Sequence, residues 1–265
     1  MATTLAAAPS ERTNLGPMLI IGLLFFIFGF VTWLNGPLIT FVKLAFQVGD
    51  AYAFLVPFAF YISYLVFSWT AAMLLRRTGM KLGMALGLFV MAIGAVLFGQ
   101  FVSTRVFAGA LTGLFVIGAG LSLLQTASNP YISILGPIDS AAQRIAFMGI
   151  CNKVAGILAP LLIGTLVLNG IGDLDEKVKA ADPATREVLL NEFAAKIHAP
   201  YLVMAGILAL QAIWIARSSL PDIEATTANS TPARAAGSAA RGGILQVPHL
   251  WLGVLCLFLY VGVEV

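Results

Sequence analysis

Charge is what this sequence has least of. Asp, Glu, Lys and Arg together make up 10% of its 265 residues, against about 25% in soluble domains. Too few polar side chains exist to cover a globule in water, which excludes a soluble enzyme. The 60% apolar content excludes intrinsic disorder. Cysteine is scarce too. Cys151 and Cys256 both lie in apolar stretches and read as small packed hydrophobes, so no disulfide framework is indicated. The two histidines, His198 and His249, lack metal-ligand spacing. An excess of 15 basic over 12 acidic residues is too slight to point to nucleic acid. Neither a cofactor, a metal nor a nucleic-acid partner is expected.

The few charges divide the chain. Thr13 to Val42, Ala51 to Leu75, Leu82 to Thr104, Val106 to Ile138 and Ile197 to Ala216 carry none, and Ile145 to Gly172 carries only Lys153. These runs match the ~20 residues that a helix needs to cross hydrocarbon. Backbone N–H and C=O groups must be satisfied within such a segment, so helices are expected. A membrane barrel would need strands of about ten residues with polar alternate positions. The expected fold class is therefore an all-α membrane protein. A tail over 1–15 precedes a six-helix bundle over 16–217, with spans near 16–43, 51–75, 81–103, 106–135, 144–168 and 199–217. A linker over 218–247, rich in Ala, Ser, Thr and Gly, leads to the start of a seventh span over 248–265. Glu264 sits beside the final carboxylate inside an apolar run. That reads as a truncated seventh helix, with the chain about half of a twelve-helix protein.

With the N-terminus inside, Arg12, Arg76, Arg77, Lys81, Arg144, Arg217, Arg234 and Arg241 fall on the inner side, and the positive-inside rule favours that orientation. The outer loop 169–198 holds six acidic and four basic residues. Within it Asp182-Pro183 reads as an N-cap followed by Pro at the first helical position. Leu189, Leu190, Phe193 and Ile197 then recur at helical spacing, so one short amphipathic helix on the outer surface is expected.

Polar residues inside the spans are the candidates for function. Trp33-Leu34-Asn35-Gly36-Pro37 in the first span and Gln125-Thr126-Ala127-Ser128-Asn129-Pro130 in the fourth each place Asn just before Pro. A proline inside a helix removes a hydrogen bond and kinks the chain. Interrupted helices at matching places in two three-helix repeats are the sequence pointer to a transporter site; a kink that merely shapes packing is the competing reading. Gln125 needs a partner at its depth, either a solute or a neighbouring helix. Lys153 lies about 13 Å past Arg144 along the fifth span, with Asn152 beside it. A lysine at such depth costs roughly 2.5–3.5 kcal/mol and should face a polar cavity or an anion. A carboxyl in apolar surroundings can carry a proton reversibly, and Glu264 is the candidate. Tyr61, Tyr64 and Ser68 share a face of the second span and could stack on and bond to a sugar, or simply pack. Gly83-x-x-x-Gly87 and Gly109-x-x-x-Gly113 read as close-packing motifs.

With Phe25-Phe26-Ile27-Phe28-Gly29-Phe30 running into Trp33-Leu34-Asn35, then Leu124 to Tyr131, Leu135-Gly136-Pro137, Phe147 to Asn152 and Tyr260 to Glu264, the chain resembles the fucose–glucose/galactose symporter family of the major facilitator superfamily. The resemblance implies a major-facilitator-type bundle built as a 3+3 inverted repeat. It implies a cation-coupled sugar transporter of two six-helix halves, of which this chain supplies the N-terminal one. Its substrate would be glucose, galactose or N-acetylglucosamine, and its coupling ion H+ or Na+. It would sit in the bacterial inner membrane, N-terminus cytoplasmic, beside its own C-terminal half. Trp33, Asn35, Tyr61, Tyr64, Gln125, Asn129 and Asn152 would meet the sugar. Fucose-transporting members carry Asp where this chain has Gly36 and Glu where it has Gln125, so proton coupling would use Glu264, with Lys153, or residues of the other half. A transporter-like membrane sugar sensor, or a fragment inert without its other half, would present the same residues. An intramembrane enzyme would not, since only Lys153 and Glu264 are ionisable at that depth.

Overall fold

The computed structural model describes residues 15–218, 220 and 248–264. The expected tail and nearly all of the expected linker lie outside the described residues. Helices and short turns make up what is described, and no strand occurs among the described residues.

The helices follow the charge-free runs, and prolines and glycines set the breaks. α1 (Leu15–Trp33) and α2 (Asn35–Phe46) form one interrupted membrane crossing. Pro37 has no N–H to offer the Trp33 carbonyl, and the helix is interrupted at Leu34, four residues before Leu38 resumes the ladder by donating to the Leu34 carbonyl. After the short α3 (Asp50–Ala53), α4 (Leu55–Ser103) runs through two expected spans. It is not straight. Gly79 adopts φ 77°, ψ 170°, a left-handed conformation that glycine takes without strain. A Cβ on Gly118 would lie 2.3 Å from the Phe60 carbonyl, and one on Gly94 would lie 2.6 Å from the Ile117 nitrogen. Adjacent residues of the next helix thus meet α4 positions that would stand ~51 Å apart on a straight helix. α4 therefore folds back at Gly79 and crosses twice.

α5 (Phe107–Ile134) is the centre of the packing. Gly87 and Gly94 of α4 face Gly120 and Gly113 of α5 in antiparallel order, each pair seven residues apart. That is the spacing at which the same faces of two helices keep meeting. Of the glycine pairs singled out from sequence, Gly87 and Gly113 lie against backbone. Gly83 faces Leu75 across the Gly79 turn, and Gly109 faces the Phe101 ring.

A 3-10 turn (Ile138–Ser140) leads to α6 (Ala141–Leu166), which packs on α1. α9 (His198–Arg217) packs on the second half of α4, with Tyr201 4.5 Å from Phe98 between ring centroids. Lys81 Nζ donates to the Ser218 carbonyl at 2.6 Å and ties the Gly79 turn to the end of α9.

The loop over 169–198 holds two helices rather than one: α7 (Ile171–Ala180) and α8 (Pro183–Ala195). Asp182 caps α8 by accepting from Ala184 and Thr185, and these bonds, led by Thr185, hold its carboxyl below the usual aspartate range. α8 does not lie loosely on a surface. Leu190, Phe193 and Ala194 are buried, with Phe193 4.8 Å from Phe41. Arg105 ends α4 at φ 53° and donates to the Ala45 carbonyl at 2.9 Å, and its ion pair with Glu187 measures 2.5 Å. Arg186 reaches Gln47 at 2.6 Å. These bonds fasten α8 over one end of the bundle, with α7 packed against α8; the Gly79 turn lies at the other end.

A second unit of the chain contributes α10 (Pro248–Glu264), an apolar helix described by itself. Its last residue is Glu264, whose side chain lies outside the described residues.

Candidate functional site

Depth along the helices sorts the candidate residues. Asn35 stands about 17 Å from the cap end of α2, whereas Gln125 and Asn129 stand about 14 Å and 8 Å from the opposite end of α5. Lys153 is near the middle of α6, about 18 Å from Ala141 and 20 Å from Leu166. The helix break beside Asn35 and the Asn129-Pro130 step inside the continuous α5 therefore lie toward opposite ends of the bundle.

The central group is assembled by the α1–α6 contact. Lys153 places its ammonium over the Trp33 ring, 4.8 Å from the centroid. Trp33 is half-buried against the α6 backbone, where a Cβ on Gly156 would lie 2.9 Å from its Nε1. On the residue preceding Lys153, Asn152 Nδ2 donates to the Phe25 carbonyl at 3.5 Å. Gly29 makes room for it, since a Cβ there would lie 2.5 Å from Asn152 Nδ2. Trp33, Asn152 and Lys153 thus form one group on two helices. Lys153 itself is exposed.

The other candidates lie on other faces. Asn129 is exposed and Gln125 half-buried, both on α5. Asn35 is 5% exposed; its Nδ2 donates to the Thr32 carbonyl at 3.0 Å, and its Oδ1 is buried with no partner among the described residues. Tyr61 and Tyr64 lie 6.2 Å apart between ring centroids and flank the buried Phe60. Contacts among the described residues join Trp33 to Lys153 and Tyr61 to Tyr64. They do not join Asn35, Gln125 and Asn152 to one another.

A lipid tail offers nothing to Asn129, Gln125 or Lys153. The exposed Asn129 amide, the half-buried Gln125 amide and the exposed Lys153 ammonium are groups of the kind that line water-filled cavities in membrane proteins.

The Major Facilitator Superfamily model matches residues 21–264. The chain belongs to that superfamily. It is 35% identical over 257 residues to a glucose/galactose transporter of Brucella abortus, covering 97% of this chain and 58% of that protein. It is 28% identical to the L-fucose-proton symporter of Escherichia coli, covering 97% and 59%. Among solved structures it is similar to the E. coli fucose:proton symporter in the outward conformation, with a TM-score of 0.76 at 28% identity over 96% of this chain and 61% of that one. The chain thus spans about three-fifths of the length of the relatives it matches. Those relatives are transporters rather than enzymes. The fold is the superfamily's, and the protein is an integral membrane protein.

Reasoning from sequence missed Arg144 as anything but an inner charge. In this superfamily member it is a fully buried arginine, 2% exposed. Nε donates to the Ile132 carbonyl at 3.0 Å, Nη1 to the Pro137 carbonyl at 2.9 Å and Ser140 Oγ at 2.6 Å, and Nη2 to the carbonyls of Ser133 at 2.8 Å and Gly136 at 3.3 Å. These acceptors include carbonyls that the end of α5 leaves without intrahelical donors. The signal available was a lone arginine just inside an apolar run, a few residues after a Gly-Pro stop.

Proposed function

We propose that this protein carries a sugar across the bacterial inner membrane by cation-coupled alternating access, with its N-terminus in the cytoplasm. The observation that carries the proposal is the exposed Lys153 at mid-depth, over Trp33 and beside Asn152, on helices that are otherwise apolar. Such a group earns its place only on a watered path. The glucose/galactose transporter among the relatives supports a hexose such as glucose or galactose as the solute; N-acetylglucosamine is the other sugar that the sequence resemblance suggests.

Trp33 supplies an aromatic face, and Asn152, Gln125 and Asn129 supply donors and acceptors for hydroxyls. Asn35, Tyr61 and Tyr64 would complete the path at other depths. Lys153 and Glu264 are the candidates for coupling to H+ or Na+. The exposed polar face would be closed by a second six-helix half, as the length of the relatives suggests.

The test is uptake of labelled glucose, galactose and N-acetylglucosamine by the full-length protein in vesicles, with a proton or sodium gradient imposed. Accumulation driven by one gradient is expected. Uptake that neither gradient alters would remove cation coupling, and uptake no faster than in empty vesicles would remove transport of these sugars.

A further inference from the structure

We propose that Arg144 is a positioning residue for sugar recognition, fixing the register of α5 against α6 and so the relative placement of Gln125 and Asn129 on one helix and Asn152 and Lys153 on the other. The inference rests on the sugar-transport reading and adds to it a residue outside the cavity face.

Pro130 removes the N–H that would bond the Thr126 carbonyl, so α5 is weakened just inward of Gln125. Below Pro130 the helix lasts one more turn. Its end is held by the guanidinium of the next helix. Arg144 makes five hydrogen bonds, which uses every N–H the group has. Four acceptors are carbonyls of residues 132–137, and the fifth is Ser140 Oγ in the turn that enters α6. One side chain therefore grips the last turn of α5, the loop and the first turn of α6. No acidic partner is among those acceptors. The positive charge is met by the carbonyl end of α5, where the helix dipole favours a cation. Direct packing of α5 on α6 is sparse beside that of α5 on α4 or of α1 on α6. Little else sets how far α6 slides along α5.

Lysine cannot replace this grip, because its donors diverge from one point whereas the guanidinium is a planar fork. Gly136→Ala offers a gentler perturbation, since its Cβ would lie 3.1 Å from Arg144 Nη1 and push the fork aside.

Arg144→Lys and Gly136→Ala are compared with the native full-length protein by sugar KM and Vmax per molecule in vesicles. Spin labels at Thr112 and Ile157, after Cys151 and Cys256 are replaced by Ser, report the α5–α6 distance without any sugar. The expected result is KM raised about tenfold at unchanged abundance, with a shifted or broadened distance distribution in both variants. An unchanged KM per molecule, with only abundance lowered, overturns the positioning role. So does an unchanged distance distribution. If the native protein carries no sugar, the transport reading fails and the distance measurement alone decides whether Arg144 sets the register.

Discussion

Lys153 shows what a single residue must repay. Its depth costs roughly 2.5–3.5 kcal/mol on insertion scales. A cation over an aromatic ring returns about 0.5–2 kcal/mol, so the Trp33 contact offsets part of that cost. Lys153→Met removes the cost and keeps the packing volume. The variant is expected to reach the membrane in equal or greater amount while sugar uptake per molecule falls about tenfold. Quantified membrane abundance and initial uptake rates check this, and unchanged uptake per molecule would return Lys153 to a structural role. Lys153 was legible in the sequence because a charge inside an apolar run stands out. Its partner Trp33 was legible only as an aromatic beside an Asn-Pro break, since their contact joins distant parts of the chain. Arg144 was less visible still. All but one of its partners are main-chain carbonyls, which carry no sequence signature.

At the scale of elements, the membrane helices were readable from missing charge alone, because the bilayer dictates their length. α7 was missed. It is short and charged, yet Ile171, Leu174 and Val178 recur at helical spacing and Val178 is buried, so the signal was present beneath the charges. The glycine motifs were read at four-residue spacing, whereas the contact between α4 and α5 repeats at seven. That distinction can be tested. A Cβ on Gly113 would lie 2.5 Å from the Phe98 nitrogen, against backbone that cannot move aside, while Gly206 on α9 has open space around it. Gly113→Ala is expected to destabilise the bundle by about 1–3 kcal/mol. Gly206→Ala should be neutral or stabilising by up to about 1 kcal/mol, since alanine is the better helix former. Thermal unfolding in detergent compares the two, and equal midpoints would deny the seven-residue contact its role.

Across the whole molecule, the distribution of charge constrains how a gradient could do work. None of α1, α2, α4, α5, α6 and α9 contains an acidic residue, and Lys153 is the ionisable group at their mid-depth. The superfamily resemblance places acids at Gly36 and Gln125 in fucose-transporting members, and here both positions are neutral. A gradient that drives uptake would act through some group that binds the ion on one side and releases it on the other. Glu264, at the end of α10, is the acid that the apolar helices of this chain supply. Exchange of labelled for unlabelled sugar needs only loading and reorientation of the carrier, whereas accumulation also needs that ion to be carried. Glu264→Gln keeps the size and shape of the side chain but cannot bind or release a proton. The variant of the full-length protein is therefore expected to lose gradient-driven accumulation and keep exchange. Counterflow and active uptake, measured in the same vesicles, separate the two. Full accumulation by Glu264→Gln would take the acid out of the mechanism and leave Lys153 as the coupling group of this half. Loss of exchange together with accumulation would instead show that Glu264 holds the sugar site itself.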